Sequence, residues 1–155
     1  MQKNYAGIGS RKTPPDVLEQ MTKIALNLNR YNYMLRSGGA IGADQAFEKG
    51  AGNSKYIYTI SDATDALLEH ASKFHPAWNK CSEYAKRLHA RNSAIILGLN
   101  LNNPVEFVIC WTPSGISMGG TGQAIRIAFS HKIPVFNLFY PKVFSLLEHK
   151  LGIKL

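Results

Sequence analysis

The chain has 155 residues, 45% of them apolar and 18% charged. That suits one folded domain over residues 1–155 with a sizeable core, and it excludes disorder, which needs low hydrophobicity and high charge. Eighteen lysines and arginines against ten acids leave a formal charge of +8, a bias that suits phosphate-bearing ligands, from a mononucleotide to nucleic acid.

No apolar run approaches the roughly 18 residues of a membrane span. The opening MQKNYAGIGSRK reaches charges and glycines too soon for a signal peptide. A cytoplasmic protein with no membrane partner is expected. The basic residues are scattered and form no long Lys/Arg run, so a tail-like DNA-binding signature is missing. Cys81 and Cys110 form no CxxC pair and both read as buried thiols. His70, His75, His89, His131 and His149 form no HxxxH or HExxH pattern, so no metal site is expected.

Residues 4–8 read as a short strand. Residues 14–30 read as a helix with Thr13 as its N-cap, Pro14 in the first turn, and Val17, Leu18, Met21, Ile24, Ala25 and Leu28 along one face. A strand at 33–36 leads into SGGAIGAD, which opens a helix through about Gly50. Residues 55–60 (KYIYTI) are rich in β-branched and aromatic types and read as a strand. A short helix and a loop at His75-Pro76-Ala77-Trp78 fill 62–76. A long helix is expected over 77–98, with Cys81, Tyr84, Ala85, Leu88, Ile95 and Ile96 on one face. Asn92 falls on that face, where a buried amide needs partners from the core or from a ligand. Residues 105–110 read as an apolar strand, 122–131 as a helix, 134–138 as the last strand and 141–151 as a closing helix. Alternating strands and helices imply βαβ units: an α/β, Rossmann-like three-layer sandwich with a mostly parallel central sheet.

Three glycine-bearing loops each follow a predicted strand and precede a helix. The first runs Gly7-Ile8-Gly9-Ser10-Arg11. The second is Ser37-Gly38-Gly39-Ala40-Ile41-Gly42-Ala43-Asp44. The third begins at Trp111-Thr112 and ends Gly119-Gly120-Thr121-Gly122-Gln123. In a parallel sheet such loops emerge on one edge, where open α/β sheets bind ligands. Glycines let backbone N–H groups turn toward an anion, and the following helix N-termini add positive potential. Ser10, Ser37, Thr121 and Gln123 offer side-chain donors and Arg11 a charge. Arg91 and Asn92 join this set if their helix ends near the loops, and Trp111, at the strand end, either stacks on a base or caps the sheet from the core. Asp44, at a helix start, serves the helix dipole, or accepts from a ribose hydroxyl, or holds a metal, or acts as a general base or oxocarbenium stabiliser, with Glu48 one turn on. Neither GxGxxG nor GxxxxGK[ST] is present.

At SGGAIGAD and GGTGQAIRIA the chain resembles the SLOG superfamily, which includes the Rossmann-like domain of the DNA-processing protein DprA and the LOG ("lonely guy") phosphoribohydrolases. With GIGSRK the resemblance spans most of the chain, and the single-domain form looks like small phage-encoded members. It implies a nucleotide-binding protein that holds a nucleotide or nucleotide-derived ligand on the three loops, sensing or sequestering a signalling nucleotide. Two alternatives follow from it: a LOG-like enzyme cleaving the N-glycosidic bond of a nucleoside monophosphate, and DprA-like binding of single-stranded DNA. Aligned on GGxG, the LOG glutamates fall near Ile125 and Arg126, neither of which is an acid, and this favours binding over hydrolysis. No cofactor is implied. Homodimers are common in the superfamily, and PVFNLFYPKVF would supply an interface or only core.

Overall fold

Apolar residues at alternating strand positions build the centre of the molecule, which a computed structural model describes over residues 2–155. The strands are β1 (Lys3–Gly7), β2 (Tyr33–Ser37), β3 (Lys55–Ile57), β4 (Val108–Cys110) and β5 (Val135–Asn137). They form one five-stranded sheet, parallel throughout, in the order β3-β2-β1-β4-β5. The helices are α1 (Pro15–Arg30), α2 (Ala43–Ala51), α3 (Asp65–Ser72), α4 (Glu83–Leu97), α5 (Gly119–Ser130) and α6 (Val143–Leu151).

Side chains of a strand alternate between faces. Tyr5, Phe107, Ile109 and Trp111 point into one apolar layer with α1, α2 and α6, while Ala6, Ile8, Val108 and Cys110 point into the other with α3, α4 and α5. The predicted stripe of α1 is the buried one: Met21, Ile24, Ala25 and Leu28 are fully enclosed. α1 and α2 approach so closely at Gly50 that an added Cβ would strike the Thr22 carbonyl. The Thr22 hydroxyl donates to the Ala46 carbonyl at 2.9 Å across the same seam. The result is the α/β Rossmann-like sandwich that the sequence implies. Its strand order reverses direction between β1 and β4, the switch point where such sheets leave a crevice.

Several element bounds differ from expectation. Thr13 does not cap α1; Pro14 takes the N-cap place, and the Thr13 hydroxyl donates to the Ser10 carbonyl at 2.6 Å. The strand expected to reach residue 60 ends at Ile57, because Thr59 and Asp62 close a capping box around a 3-10 turn, Ile60–Asp62. The helix expected from residue 77 starts at Glu83, where the Ser82 side chain accepts from the Ala85 N–H. A 3-10 turn, Trp78–Lys80, precedes it. Cys81 and Tyr84 therefore lie off the apolar face predicted for them: Cys81 is half-buried in a loop, and Tyr84 is 60% exposed. α5 begins at Gly119, so Gly119, Gly120 and Thr121 form its first turn.

Candidate functional site

The loops after β1, β2 and β4 leave the carboxyl ends of three adjacent strands and meet over one cleft of about 960 Å³. That is the size range of small-molecule sites. The loops are fitted to one another by missing side chains. A Cβ on Gly9 would stand 2.7 Å from the Ala43 Cβ and 3.1 Å from the Trp111 carbonyl oxygen. Gly42 holds φ +96 with the Arg11 Cα 2.9 Å from where its Cβ would be, so any larger residue would separate the first loop from the second.

Asp44 joins these loops from within. It is 4% exposed, and its Oδ2 accepts from the Ala40 N–H at 3.3 Å. The backbone N–H groups of Gly38 and Gly9 also favour its charge, as does Arg91. Burial outweighs them and raises its pKa from 3.8 to about 6. Asp44 is also the one carboxylate on the described cleft wall.

The cations on this wall are unpaired. Among the described residues the side-chain ion pairs are Lys55–Glu48 at 2.8 Å and Lys86–Glu83 at 3.8 Å. Arg11, Lys12 and Arg91 line the cleft with no such partner. Arg91 Nη1 donates to the Gly38 carbonyl at 3.3 Å, and its buried Nε has no partner. Burial lowers the Arg91 pKa, and the neighbouring Asp44 charge opposes that shift. On the same wall α5 starts with no side-chain cap and no acid in its first turn, so the N–H groups at its start are free to receive an anion.

Of the residues expected in a binding site, the structure brings Gly9, Ser10, Arg11, Gly38, Gly39 and Ala40 to this wall, and likewise Asp44, Arg91, Asn92, Thr112, Gly119, Gly120 and Thr121. Gly7, Ser37, Trp111, Gly122 and Gln123 are not on it. Gly7 makes room for Phe47, which would stand 2.6 Å from a Cβ there. The Ser37 hydroxyl is spent on the Gly7 carbonyl at 2.6 Å. Trp111 continues the parity of Phe107 and Ile109 into the α1–α2–α6 layer, 6.4 Å from Phe139 ring to ring, rather than stacking over the cleft. Gly122 packs against the Ser117 backbone. Gln123 is fully buried; its Oε1 accepts from Asn92 Nδ2 at 3.0 Å and its Nε2 donates to the Ala71 carbonyl at 3.4 Å. Asn92 Nδ2 also donates to the Gly120 carbonyl at 3.1 Å, so the core supplies the partners its burial demands.

The sequence reading missed Lys12, Tyr84 and His89, which also line the cleft. Tyr84 is the exposed aromatic there, the place expected of Trp111. Ile125 is 2% exposed, and Arg126 Nε donates to the Phe74 carbonyl at 2.9 Å, so neither position aligned with the LOG glutamates reaches the cleft.

No family model and no curated protein matches the chain. Among solved structures it is similar to DNA processing protein A from Helicobacter pylori, described for its unique mode of binding single-stranded DNA. The TM-score is 0.62 at 20% identity, over 88% of this chain and 65% of that protein. At that identity the likeness is one of fold, and this chain spans 65% of the other's length. No helix among the described residues is long and apolar enough to cross a membrane.

Proposed function

We propose that this chain binds nucleotides by their phosphates, sensing or sequestering them, with the glycine loops as cradle. One observation carries the reading: Arg11, Lys12 and Arg91, none in an ion pair among the described residues, stand on the same cleft wall as the uncapped start of α5. Tyr84 is the surface offered to a base. Binding is favoured over hydrolysis because Asp44, the one carboxylate on the described wall, is held by backbone N–H groups. Were a glycosidic bond cleaved here, Asp44 would be the residue to act on it.

A second reading, single-stranded DNA binding, is favoured by the solved neighbour and by the charge of +8. A panel separates the two: AMP, N6-substituted AMP, ADP-ribose, cyclic nucleotides and a short single-stranded DNA. Each is filtered with the protein, and both fractions are resolved by chromatography. Intact small nucleotide retained with protein is the expected result. Free base in the filtrate would make the protein a hydrolase. Retention of DNA alone, falling steeply with salt, would move the function to the second reading.

Arg91→Met is expected to weaken nucleotide binding by about tenfold or more, the scale of one hydrogen bond to a charged group. Its Tm should fall modestly, because the variant gives up the bond to the Gly38 carbonyl and the charge that favours the buried Asp44, offset in part by the loss of a buried Nε without a partner. Calorimetric titration and thermal unfolding check both. We also propose a homodimer, with Phe139, Tyr140 and Leu146, all exposed on the segment after β5 and on α6, as its apolar contact. Light scattering at twice the chain mass is the expected result.

A further inference from the structure

Three side chains with soft or borderline donor atoms converge where the sequence spacing gave no sign of it. His75 comes from the turn after α3, Cys81 from the loop before α4, and His89 from α4 itself. One ring nitrogen of each histidine and the Cys81 Sγ lie within 4.8 Å of one another. All three residues are half-buried.

The spacing suits a metal. Cys81 Sγ stands 3.6 Å from His75 Nε2. A tetrahedral zinc ion, with Zn–S of about 2.3 Å and Zn–N of about 2.0–2.1 Å, separates those two ligand atoms by about 3.5 Å. The surroundings suit it as well. Gln123 is oriented by two hydrogen bonds, from Asn92 and to the Ala71 carbonyl, so its Oε1 faces His89 Nδ1 at 3.2 Å as an acceptor. His89 must then donate from Nδ1, which leaves the lone pair of the neutral ring on Nε2. This is the outer-shell arrangement that orients metal-bound histidines. Gln123, expected to touch the nucleotide, instead has a role as the residue that positions His89.

We propose that His75, Cys81 and His89 form a binding site for a divalent ion of the zinc class at the rim of the cleft, with a fourth position left to water or to an oxygen of a cleft ligand. On loading, the Cys81 thiol gives its proton to solvent and binds as thiolate. Without metal, His75 Nδ1 accepts from the Ala77 N–H at 3.0 Å, so Nε2 carries the proton. Binding through Nε2 moves that proton to Nδ1 and gives up the Ala77 bond. One proton per ion is released in all. The ion would tie the segment between α3 and α4 to the α4 face that borders the glycine loops, since His89 lines the cleft.

The test uses the full chain stripped with a chelator and titrated with cobalt(II) alone. No nucleotide is present, so its outcome stands apart from the phosphate reading. One cobalt per chain is expected, with the intense visible bands of a tetrahedral site and a thiolate-to-cobalt charge-transfer band, all displaced by zinc. Cys81→Ser should lose the charge-transfer band and bind zinc at least about tenfold more weakly, while circular dichroism reports a native fold. In the unaltered chain, zinc should protect Cys81 from iodoacetamide. Cys110 serves as the internal control: it is buried, with its thiol pushed up to about 12, and should stay unreactive with or without metal. Cobalt binding without a charge-transfer band would overturn the proposal. So would undiminished zinc binding by Cys81→Ser, or equal alkylation of Cys81 with and without zinc.

Discussion

Gly120→Asp is expected to abolish nucleotide retention and leave the fold standing. A Cβ at Gly120 meets nothing nearer than Asn92 Nδ2 at 3.8 Å, so the side chain enters open space. A carboxylate there occupies the start of α5, where helix polarity favours negative charge by about 0.3–1 kcal/mol, so stability should hold or rise slightly. The same charge stands where the phosphate would, and affinity should fall by about two orders of magnitude, since one misplaced charge costs several kcal/mol. Gly7→Ala is the opposite case. Its Cβ would stand 2.6 Å from Phe47 and 2.8 Å from Leu35, in the core behind the first loop. Overpacking there should cost about 1–3 kcal/mol of stability. Gly39→Asp is a poorer probe than Gly120→Asp, because Gly39 holds φ +72 and the variant would strain the loop as well as charge it. Thermal unfolding and equilibrium dialysis, run side by side, separate a lost cradle from a lost fold.

The second large effect concerns pH. Asp44 titrates at 3.8 when unburied and at about 6 in the folded chain. Between these values the folded state binds more protons than the unfolded one, so this group makes stability fall as pH rises through that window. Above about 6 the cost is complete, roughly 3 kcal/mol for a gap of this size. Asp44→Asn removes that dependence. The stability difference between wild type and variant should therefore move by roughly 2.4 kcal/mol in the variant's favour from pH 4 to pH 7, as read by denaturant unfolding. A ligand phosphate beside Asp44 disfavours its charge further, so binding should take up a proton. ADP-ribose, whose phosphates do not titrate here, should bind more tightly at pH 5 than at pH 7. Asp44→Asn should flatten that slope. An equal slope in the variant would place the titrating group elsewhere.

The sheet and its loops were legible because they rest on local chemistry. The α1 stripe of Met21, Ile24, Ala25 and Leu28 obeys the helical period, and glycines after β1, β2 and β4 mark loops that parallel topology must gather on one edge. The side on which Trp111 falls was legible too, since residues 107, 109 and 111 share one parity, but its place at the strand end suggested the cleft. The expected start of α4 lies too early: Ser82, a residue type suited to an N-cap, stands just before Glu83 and caps the helix there. Arg11 was legible beside the first glycine loop and Arg91 only on the condition that its helix ended near the loops; Lys12 was not legible, and the fold alone brings all three to one wall. The same holds for His75, Cys81 and His89, whose separations match no helix or loop ligand pattern and meet through the packing of the α3–α4 segment on α4. Gly7, Ser37, Gly122 and Gln123 carry the right residue types for a ligand site, yet their partners are Phe47, the Gly7 carbonyl, Ser117 and Asn92. Composition does not distinguish a glycine that admits a ligand from one that admits a neighbour.

Phosphate recognition is the central claim, and matched ligands that differ only in the phosphate test it most directly. Equilibrium dialysis of the unaltered protein against the four nucleoside monophosphates and the four corresponding nucleosides, at one salt concentration, makes the comparison. At least one monophosphate should be retained, and its nucleoside should be retained at least about tenfold less, the scale of a lost charge-assisted contact. Equal retention of nucleoside and monophosphate, or retention of neither, would contradict the account.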